Sequence, residues 1–592
     1  MIRLSLFISS ILIFTFVIAQ KPKTVKGKVS NVKTTISKAL EKKLDSIFSS
    51  YNKNTPGIAV TVLENGKVIA KKTYGMASLE FSIPFSHHTL VRLPYSEGRE
   101  FISIATALME KDGLLNINDR VRKFFPKLPD WSETVTVQDL LNHSSGFADE
   151  WATLALTQAS MANRLDKSQF LQFLYNQPTP SVEPGIGYMY SNSDFGLLRL
   201  ILEKASGEDL SAFMKRRVFG PLGMKNSRIH NDKEEVILNS AFTYNIGVNN
   251  TYKLWLQDKT SPGGNYFVLT SANDLEKWAE AHTDQTSFIY AAVQRLQQDA
   301  RPIPVLPGTD YVFGHKHRLV GTYRALVHMG VSELPYISHV PEANLTVILL
   351  SNLFVPRWYL MKQVLSTVLK INMPVVQKKE LTKKQIPVDP EKIKSYAGTY
   401  KWLVPLTYQS YVPRKRYTKF ISSNGVLKVL YSDQDTLDLL PIEKNTFRDP
   451  EFPDLFVFSE PKPDSGMRLI LYTYDGDSIQ MEKLSYDKPK LTRSELQRLT
   501  GKYYSSHLDY YLTIVSNEND QLIIKRPTIA DKILEPWFDG DYRLMTDYGP
   551  YSSESWVHFF FNDNGEVSHF TVSHPRLMNH RFEKVDSNNI KK

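Results

Sequence analysis

The chain of 592 residues contains no cysteine. This absence excludes disulfide bonds, metal sites built on thiolates and a lipid anchor attached to a cysteine. The chain is too long for one hydrophobic core, because a domain has about 150 residues, and two to four domains are expected. Their stability must therefore come from packed cores rather than from covalent cross-links.

Long apolar runs are also scarce. One lies at the N-terminus, where residues 4–19 are apolar apart from Ser and Thr and follow Arg3. This pattern predicts a secretory signal peptide, residues 1–19, cleaved after Ala19. An uncleaved anchor is the alternative, although a bilayer span needs about 20 residues. We expect a secreted or periplasmic protein without a stable membrane span after cleavage.

Concentrated charge is missing too, since the net charge of +10 is spread along the chain. The densest basic run, residues 377–385, is typical of a solvated linker and predicts no nucleic-acid site. No nucleotide-binding loop and no metal-ligand spacing are visible, so no metal or other cofactor is expected.

Residues 37–370 mix helical and strand patterns, which predicts an α/β or α+β domain. The patterns are a hairpin at 55–75 around Asn65-Gly66, helices at 100–113 and 194–207, each closed by glycine, and a buried strand at 345–352.

A linker is predicted at residues 371–392, which combine prolines with a lysine cluster. The composition then changes to short strands and turns. "IKSYAGTY" and "LQRLTGKY" open two similar segments that are offset by 103 residues. We predict two β-rich domains, 393–487 and 493–586, each able to close as a small barrel. One larger sandwich is the alternative.

The stretch "PYSEGREF", residues 94–101, places Ser96 at the start of the first helix. A serine nucleophile needs an adjacent base, and a lysine three residues later would lie on the same helix face. That residue is Arg99, whose pKa above about 12 prevents it from acting as a base. Lys111 is about 22 Å further along a helix and cannot substitute for it. Alternatively, Ser96 only caps the helix.

Two further segments carry candidate site residues. Tyr190 and Asn192 precede the second helix, where a tyrosine hydroxyl can relay a proton and an asparagine can orient an amide. His328 and Gly330 precede the buried strand and are predicted to line the site on an edge strand, where glycine allows close approach of the backbone. For each residue, a purely structural role is the alternative.

Together and in this order, these elements resemble the motifs of the serine β-lactamase and penicillin-binding-protein superfamily, in its class C-like branch. Y-x-N matches Tyr190 and Asn192, and H-x-G matches His328 and Gly330. Further similar stretches lie at 136–147, 221–224, 261–278 and 348–352, so the resemblance covers about residues 40–370. The tail is similar to the lipocalin-like domains appended to many such hydrolases.

The resemblance implies an α+β domain with an antiparallel sheet and a helical region, followed by two small antiparallel barrels. It implies acyl transfer on amide or ester substrates, either small molecules or peptides, with cell-wall peptides as candidates. Ser96, Arg99 and Tyr190 would be catalytic, and Asn192, His328 and Gly330 would bind substrate.

The family's S-x-x-K motif falls on Ser96 to Arg99 when Phe101 anchors the alignment. When residues 91–93 anchor it, Tyr95 takes the nucleophile position. Neither register supplies a lysine. Two alternatives to an enzyme therefore remain, a non-catalytic binding protein on the same fold and a protein whose β-rich tail is the working part.

Overall fold

The structure, a computed structural model, describes most of the chain between residues 37 and 585. The described ranges are 37–93, 98–157, 165–230, 235–246, 251–254, 267–298, 300–306, 309–329, 336–354, 358–371, 384–403, 417–430, 436–450, 454–460, 466–472, 478–485, 489–537, 540–548 and 551–585. The predicted signal peptide, Tyr95, Ser96 and Gly330 lie outside them, as does most of the predicted linker.

The predicted helices are present in the first part of the chain. Gly113 (φ +74°) follows the first of them, and Gly207 (φ +71°) caps the second in the left-handed region that glycine favours. No helix in the described ranges is both long and apolar enough to cross a membrane. The helices are α1 (Lys38–Ile47), α2 (Arg99–Lys111), α3 (Val121–Phe124), α4 (Val137–Leu141), α5 (Glu150–Leu154), α6 (Lys167–Tyr175), α7 (Asn192–Ser206), α8 (Leu210–Met214), α9 (Ala272–Thr283), α10 (Phe288–Gln298) and α11 (Trp358–Leu369).

The strands of this part are β1 (Ile58–Glu64), β2 (Lys67–Tyr74), β3 (Met76–Ser78), β4 (Ile83–Pro84), β5 (Val91–Leu93), β6 (Arg228–His230), β7 (Tyr244–Ile246), β8 (Tyr252–Leu254), β9 (Phe267–Thr270), β10 (Ile303–Leu306), β11 (Thr309–Val312), β12 (His315–Val320), β13 (Tyr323–Met329), β14 (Tyr336–Val340), β15 (Leu345–Ser351) and β16 (Leu353–Phe354). The main sheet is antiparallel, in the order β10-β11-β12-β13-β14-β15-β1-β2. The predicted hairpin is confirmed as β1 and β2, with Asn65 and Gly66 both at positive φ.

The predicted edge position of His328 is wrong. Strand β13, which carries His328, pairs with β12 on one side and β14 on the other. Residues 303–320 contain three further strands beyond it, which the sequence pattern did not predict. The histidine therefore lies in the interior of the sheet.

The continuous apolar run of β15 follows from burial of both of its faces. Ile348 and Leu350 belong to a core that includes residues of α2, α7 and α9. Val347 and Leu349 belong to a second core with residues of α1 and α11. The sheet thus lies between two apolar layers, and α2 packs on the same face as the candidate site residues that follow.

The C-terminal part forms two antiparallel structures, as predicted. Its strands β17–β25 form a nine-stranded sheet that nearly closes, and β26–β33 form a closed barrel in which β26 pairs with β33. Because the second set of strands closes on itself as a barrel, the single-sandwich alternative is wrong. The elements are α12 (Pro390–Tyr396), β17 (Gly398–Trp402), β18 (Tyr417–Ser423), β19 (Val426–Leu430), β20 (Thr436–Asp438), β21 (Leu440–Glu443), β22 (Thr446–Arg448), β23 (Leu455–Phe458), β24 (Arg468–Tyr472), β25 (Ser478–Lys483), α13 (Arg493–Leu499), β26 (Gly501–Ser505), β27 (Tyr510–Ser516), β28 (Leu522–Arg526), β29 (Ile529–Pro536), β30 (Asp541–Tyr548), β31 (Tyr551–Phe561), β32 (Val567–His574) and β33 (Leu577–Val585).

The closed barrel packs against the helices of the first part. The rings of His507 and Phe173 stack with their centroids 4.5 Å apart, and His507 Nε2 donates to the carbonyl oxygen of Phe173 at 3.0 Å. Thr528 Oγ1 donates to the carbonyl oxygen of Thr157. Burial lowers the pKa of His507 to about 4, so its ring is neutral in this contact. The barrel is thereby held beside α5 and α6.

Candidate active site

Arg99 lies at the first turn of α2, and its side chain is buried. Its Nη2 donates to Asn192 Oδ1 at 3.4 Å. Its guanidinium carbon is 4.2 Å from the ring centroid of Tyr190 and 5.1 Å from that of Phe195. Cation–π contacts of this kind contribute about 2 kcal/mol when they are desolvated. The arginine thus joins the start of α2 to the start of α7.

The pair Tyr190 and Asn192 is fixed by hydrogen bonds at the start of α7. Tyr190 donates its hydroxyl to Asn192 Oδ1 at 3.1 Å, and the backbone N–H of Asn192 donates to Asp149 Oδ2 at 2.8 Å. Asp149 also caps α5, because its Oδ1 accepts from the backbone N–H of Ala152. The start of α7 is therefore held in register with α5, and the amide of Asn192 collects two donors from the site.

A second arginine contacts the other side of this group, and it comes from the closed barrel. The guanidinium carbon of Arg576, in the turn between β32 and β33, is 4.3 Å from the ring centroid of Tyr190. The carbonyl oxygen of Arg576 accepts a hydrogen bond from the backbone N–H of Asp149 at 3.3 Å. Two guanidinium groups therefore contact one tyrosine ring, and one of them belongs to the C-terminal part of the chain.

The electrostatics of the site keep Arg99 charged. Burial disfavours the guanidinium, but the neighbouring hydroxyl groups of Tyr190 and Tyr311 outweigh this penalty and raise the pKa of Arg99. Burial in turn raises the pKa of the Tyr311 hydroxyl. Two positive charges against the Tyr190 ring stabilise negative charge on its oxygen, so a tyrosine able to accept a proton is chemically reasonable here.

A buried histidine next to the site is held neutral. His143 Nδ1 is 2.8 Å from Asp194 Oδ2, and Ser145 Oγ donates to the other carboxylate oxygen. Burial, with the positive charges of Arg99 and Arg576, holds the pKa of His143 well below its usual value. This network supports the structure around Tyr190 and adds no positive charge to the site.

The structure brings together three of the six predicted site residues, namely Arg99, Tyr190 and Asn192. Ser96 and Gly330 lie outside the described residues, and so does Tyr95, so the register of the nucleophile stays a prediction. The N-cap of α2 is Gly98, with no side-chain hydrogen bond at the cap. Ser96 itself lies outside the described residues, so the alternative that it serves only as the helix cap also stays a prediction.

His328 contacts a different group from the other three. Its Nδ1 lies 3.2 Å from Oε2 of Glu100, the residue after Arg99, and both side chains are fully buried. Glu100 is also close to His282, His315 and His339. Within the described residues, Glu100 with His315 and His328, and Glu100 with His282 and His339, each have the donor types of a metal site. These five residues are here called the Glu100 cluster.

Comparison with known proteins gives the context of these residues. The sequence profile of the β-lactamase family matches residues 39–363, which is more than half of the chain. The chain belongs to the β-lactamase family.

Relatives within this family include peptide hydrolases. Penicillin-binding protein 4* of Bacillus subtilis is 30% identical over 192 residues, or 32% of this chain and 42% of that protein. A D-aminopeptidase of Cereibacter sphaeroides is 25% identical over 304 residues, covering 49% of this chain and 55% of the relative. The chain thus matches only about half the length of these relatives.

Solved structures show the same fold. An octameric penicillin-binding protein homologue from Pyrococcus abyssi superimposes with a TM-score of 0.51 at 21% identity, covering 75% of this chain and 99% of that one. Together with the family match, this similarity confirms the predicted β-lactamase-like fold.

Two features of this region were not predicted from the sequence. Arg576 lies almost 400 residues after its site partner Tyr190 and carries no motif that would single it out. The histidines of the Glu100 cluster are spread over residues 282–339 without a regular spacing. The pairing of β12, β13 and β14 brings three of them together, and that register could not be read from the sequence.

Proposed function

We propose that the protein is an exported serine hydrolase that transfers acyl groups from amide or ester substrates, with Ser96 as nucleophile and Tyr190 as base. One observation carries this proposal, namely the arrangement of Arg99, Tyr190 and Asn192, because it retains the family's proton-relay tyrosine with positive charge beside it. Export is proposed from the apolar N-terminal run. Because arginine replaces the usual lysine, we expect slow turnover.

The covalent step of this mechanism is attack of Ser96 Oγ on the substrate carbonyl. The hydroxyl proton passes to Tyr190 and then to the leaving amine or alcohol, and the bond to that leaving group breaks as the acyl-enzyme forms. Water then attacks the ester carbonyl of the acyl-enzyme and gives a proton to Tyr190. The bond to Ser96 Oγ breaks, Tyr190 passes that proton to Oγ, and the acid is released. The two arginines favour the deprotonated tyrosine that begins the cycle.

The test of this proposal is covalent labelling of the purified full-length protein. A fluorophosphonate and a fluorescent penicillin should each add one group per chain, and peptide mapping should place it on Ser96. Ser96→Ala should remove the label. Ser191→Ala is the matched control, since it deletes the buried hydroxyl group of the serine next to Tyr190 in the chain and should leave labelling unchanged. An adduct on Tyr95, or none in the wild type, would contradict the assignment of Ser96.

A second candidate function is ligand binding without turnover. The permanently charged Arg99 favours this function, because a guanidinium group can bind a carboxylate but cannot act as a general base. A protein that binds a peptide carboxylate but takes up neither reagent would support this candidate instead.

Arg576 is expected to select substrates that carry a carboxylate. A hydrogen bond to a charged group contributes about 1.5–3 kcal/mol, so Arg576→Ala should raise the KM for a peptide ester with a free carboxylate about tenfold or more. The KM for a neutral activated ester should change less than about threefold. Arg581→Ala is the control on the same barrel, because its guanidinium pairs with Glu583 on the half-exposed surface. Equal changes for both esters would show that Arg576 has no role in carboxylate binding.

A further inference from the structure

The Glu100 cluster is a buried carboxylate surrounded by imidazole nitrogens. Glu100 Oε1 lies 2.8 Å from His282 Nε2, 3.5 Å from His315 Nε2 and 3.9 Å from His339 Nε2. Glu100 Oε2 lies 3.2 Å from His328 Nδ1. The exposed fraction of these side chains is at most 13%. Four imidazoles around one buried carboxylate exceed what a simple ion pair requires.

The outer ring nitrogens fix the orientation of three of these histidines. His282 Nδ1 donates to the carbonyl oxygen of Trp278 at 2.8 Å, and His315 Nδ1 donates to that of Phe313 at 3.0 Å. His339 Nδ1 is 3.0 Å from Thr346 Oγ1. Histidines that ligate metals are typically held in this way, with the other ring nitrogen bonded to a carbonyl or a hydroxyl group.

This orientation creates a chemical conflict inside the cluster. A carbonyl oxygen only accepts, so Nδ1 of His282 and of His315 carries a proton, and in a neutral ring Nε2 is then a bare lone pair. Each lone pair faces a carboxylate oxygen of Glu100. A carboxylate oxygen is likewise an acceptor. Each such contact is unfavourable unless a proton or a metal cation lies between the two atoms.

Protonation of the histidines alone would remove these conflicts only at the cost of repulsion between the charged rings. The rings of His282 and His339 have their centroids 4.4 Å apart, and two imidazolium charges at that separation would repel each other in a buried site. One divalent ion would balance the carboxylate and accept several lone pairs at once.

We propose that Glu100 and the surrounding histidines bind one divalent transition-metal ion. Imidazole nitrogens with one carboxylate suit Zn²⁺ and its first-row neighbours. Bonds of about 2.0–2.1 Å place neighbouring ligand atoms about 3–3.5 Å apart. The donor atoms of Glu100, His282 and His339 lie within 4.8 Å of one another, as do those of Glu100, His315 and His328. A cavity of about 30 Å³ borders His282, His315 and His339.

The ion would have a structural role in this chain. Glu100 comes from α2, His282 from α9, and the other three histidines from β12, β13 and β14. The metal would thus join the first turn of α2 to the sheet and to a neighbouring helix, in a protein that has no disulfide. Because Arg99 precedes Glu100 directly, the same bond network would position the candidate active site.

Metal content is the first measurement. Tag-free full-length protein, stripped with a chelator and then dialysed against Zn²⁺, should retain about one ion per chain. Its melting temperature should rise when Zn²⁺ is restored. X-ray absorption of the zinc-loaded wild type should show imidazole nitrogens at about 2.0–2.1 Å. Wild-type protein that retains no metal would overturn the proposal and leave the cluster as a network of protonated histidines.

Two variants test the ligands themselves. Glu100→Gln keeps the shape but removes the charge and should weaken Co²⁺ binding, followed by visible absorption, more than about 100-fold. His580→Asn is the matched control, because it removes a buried histidine that bonds Ser505 in the barrel, and should bind Co²⁺ like wild type. Unchanged Co²⁺ affinity in Glu100→Gln would overturn the proposal. If that variant fails to fold, the absorption spectrum of the wild type still decides.

Discussion

Replacing Tyr190 by phenylalanine is expected to lower kcat/KM for a small activated ester by about 10²–10⁴-fold, the usual contribution of a general base. The substitution removes only the hydroxyl group, which donates to Asn192 Oδ1 at 3.1 Å. The ring keeps its contacts with the guanidinium groups of Arg99 and Arg576. Stability should therefore fall by only about 1 kcal/mol, the net contribution of one hydrogen bond. Steady-state kinetics and a thermal melt would separate the two effects.

The matched control for Tyr190 is Tyr188→Phe. Tyr188 is also buried, and its ring packs against His143 and Tyr311 two residues before the candidate base. The loss of its hydroxyl should leave kcat/KM within about threefold of wild type. If both phenylalanine variants hydrolyse the ester as wild type does, Tyr190 does not take the serine proton and the proposed mechanism is wrong.

Local sequence signals predicted the elements of the fold that depend on neighbouring residues. The hairpin of β1 and β2 follows from alternation around Asn65-Gly66, and the ends of α2 and α7 follow from glycine. The position of β13 in the sheet did not follow, because the strands that cover it come from residues 303–320, whose pairing is set by long-range contacts. Local sequence patterns thus predicted individual elements but not which strands lie beside β13.

The same distinction holds for the candidate site. Tyr190 and Asn192 could be predicted because they stand two residues apart at the start of one helix. Arg99 could be predicted because it stands where a lysine was expected. Arg576 comes from a turn of the C-terminal barrel, and the partners of Glu100 come from one helix and three strands, so only the folded chain places them there. The motif predicted that His328 binds substrate, whereas in the structure its Nδ1 lies 3.2 Å from the carboxylate of Glu100.

Arg99→Lys is expected to raise kcat/KM for the activated ester about tenfold or more, since a positioned general base contributes about 10²–10⁴-fold. A buried lysine can lose its proton and assist Ser96 directly, whereas the surroundings of Arg99 hold its pKa above the ordinary value. The lysine loses the Nη2 donor that reaches Asn192 Oδ1, so the gain should stay below the full contribution of a base. Kinetics at several pH values should show activity rising as the lysine deprotonates.

Arg99→Met distinguishes loss of charge from gain of a base. Methionine has a similar length but leaves the Tyr190 ring with only Arg576, so the phenolate loses one of its two positive neighbours and activity should fall below wild type. The order Lys above Arg above Met would show that the natural arginine supplies charge but no base. If Lys and Met both fall tenfold or more while circular dichroism melts stay intact, the planar fork of arginine itself is required. The site would then be a specialised catalyst with its own mechanism rather than an impaired copy of a lysine-dependent one.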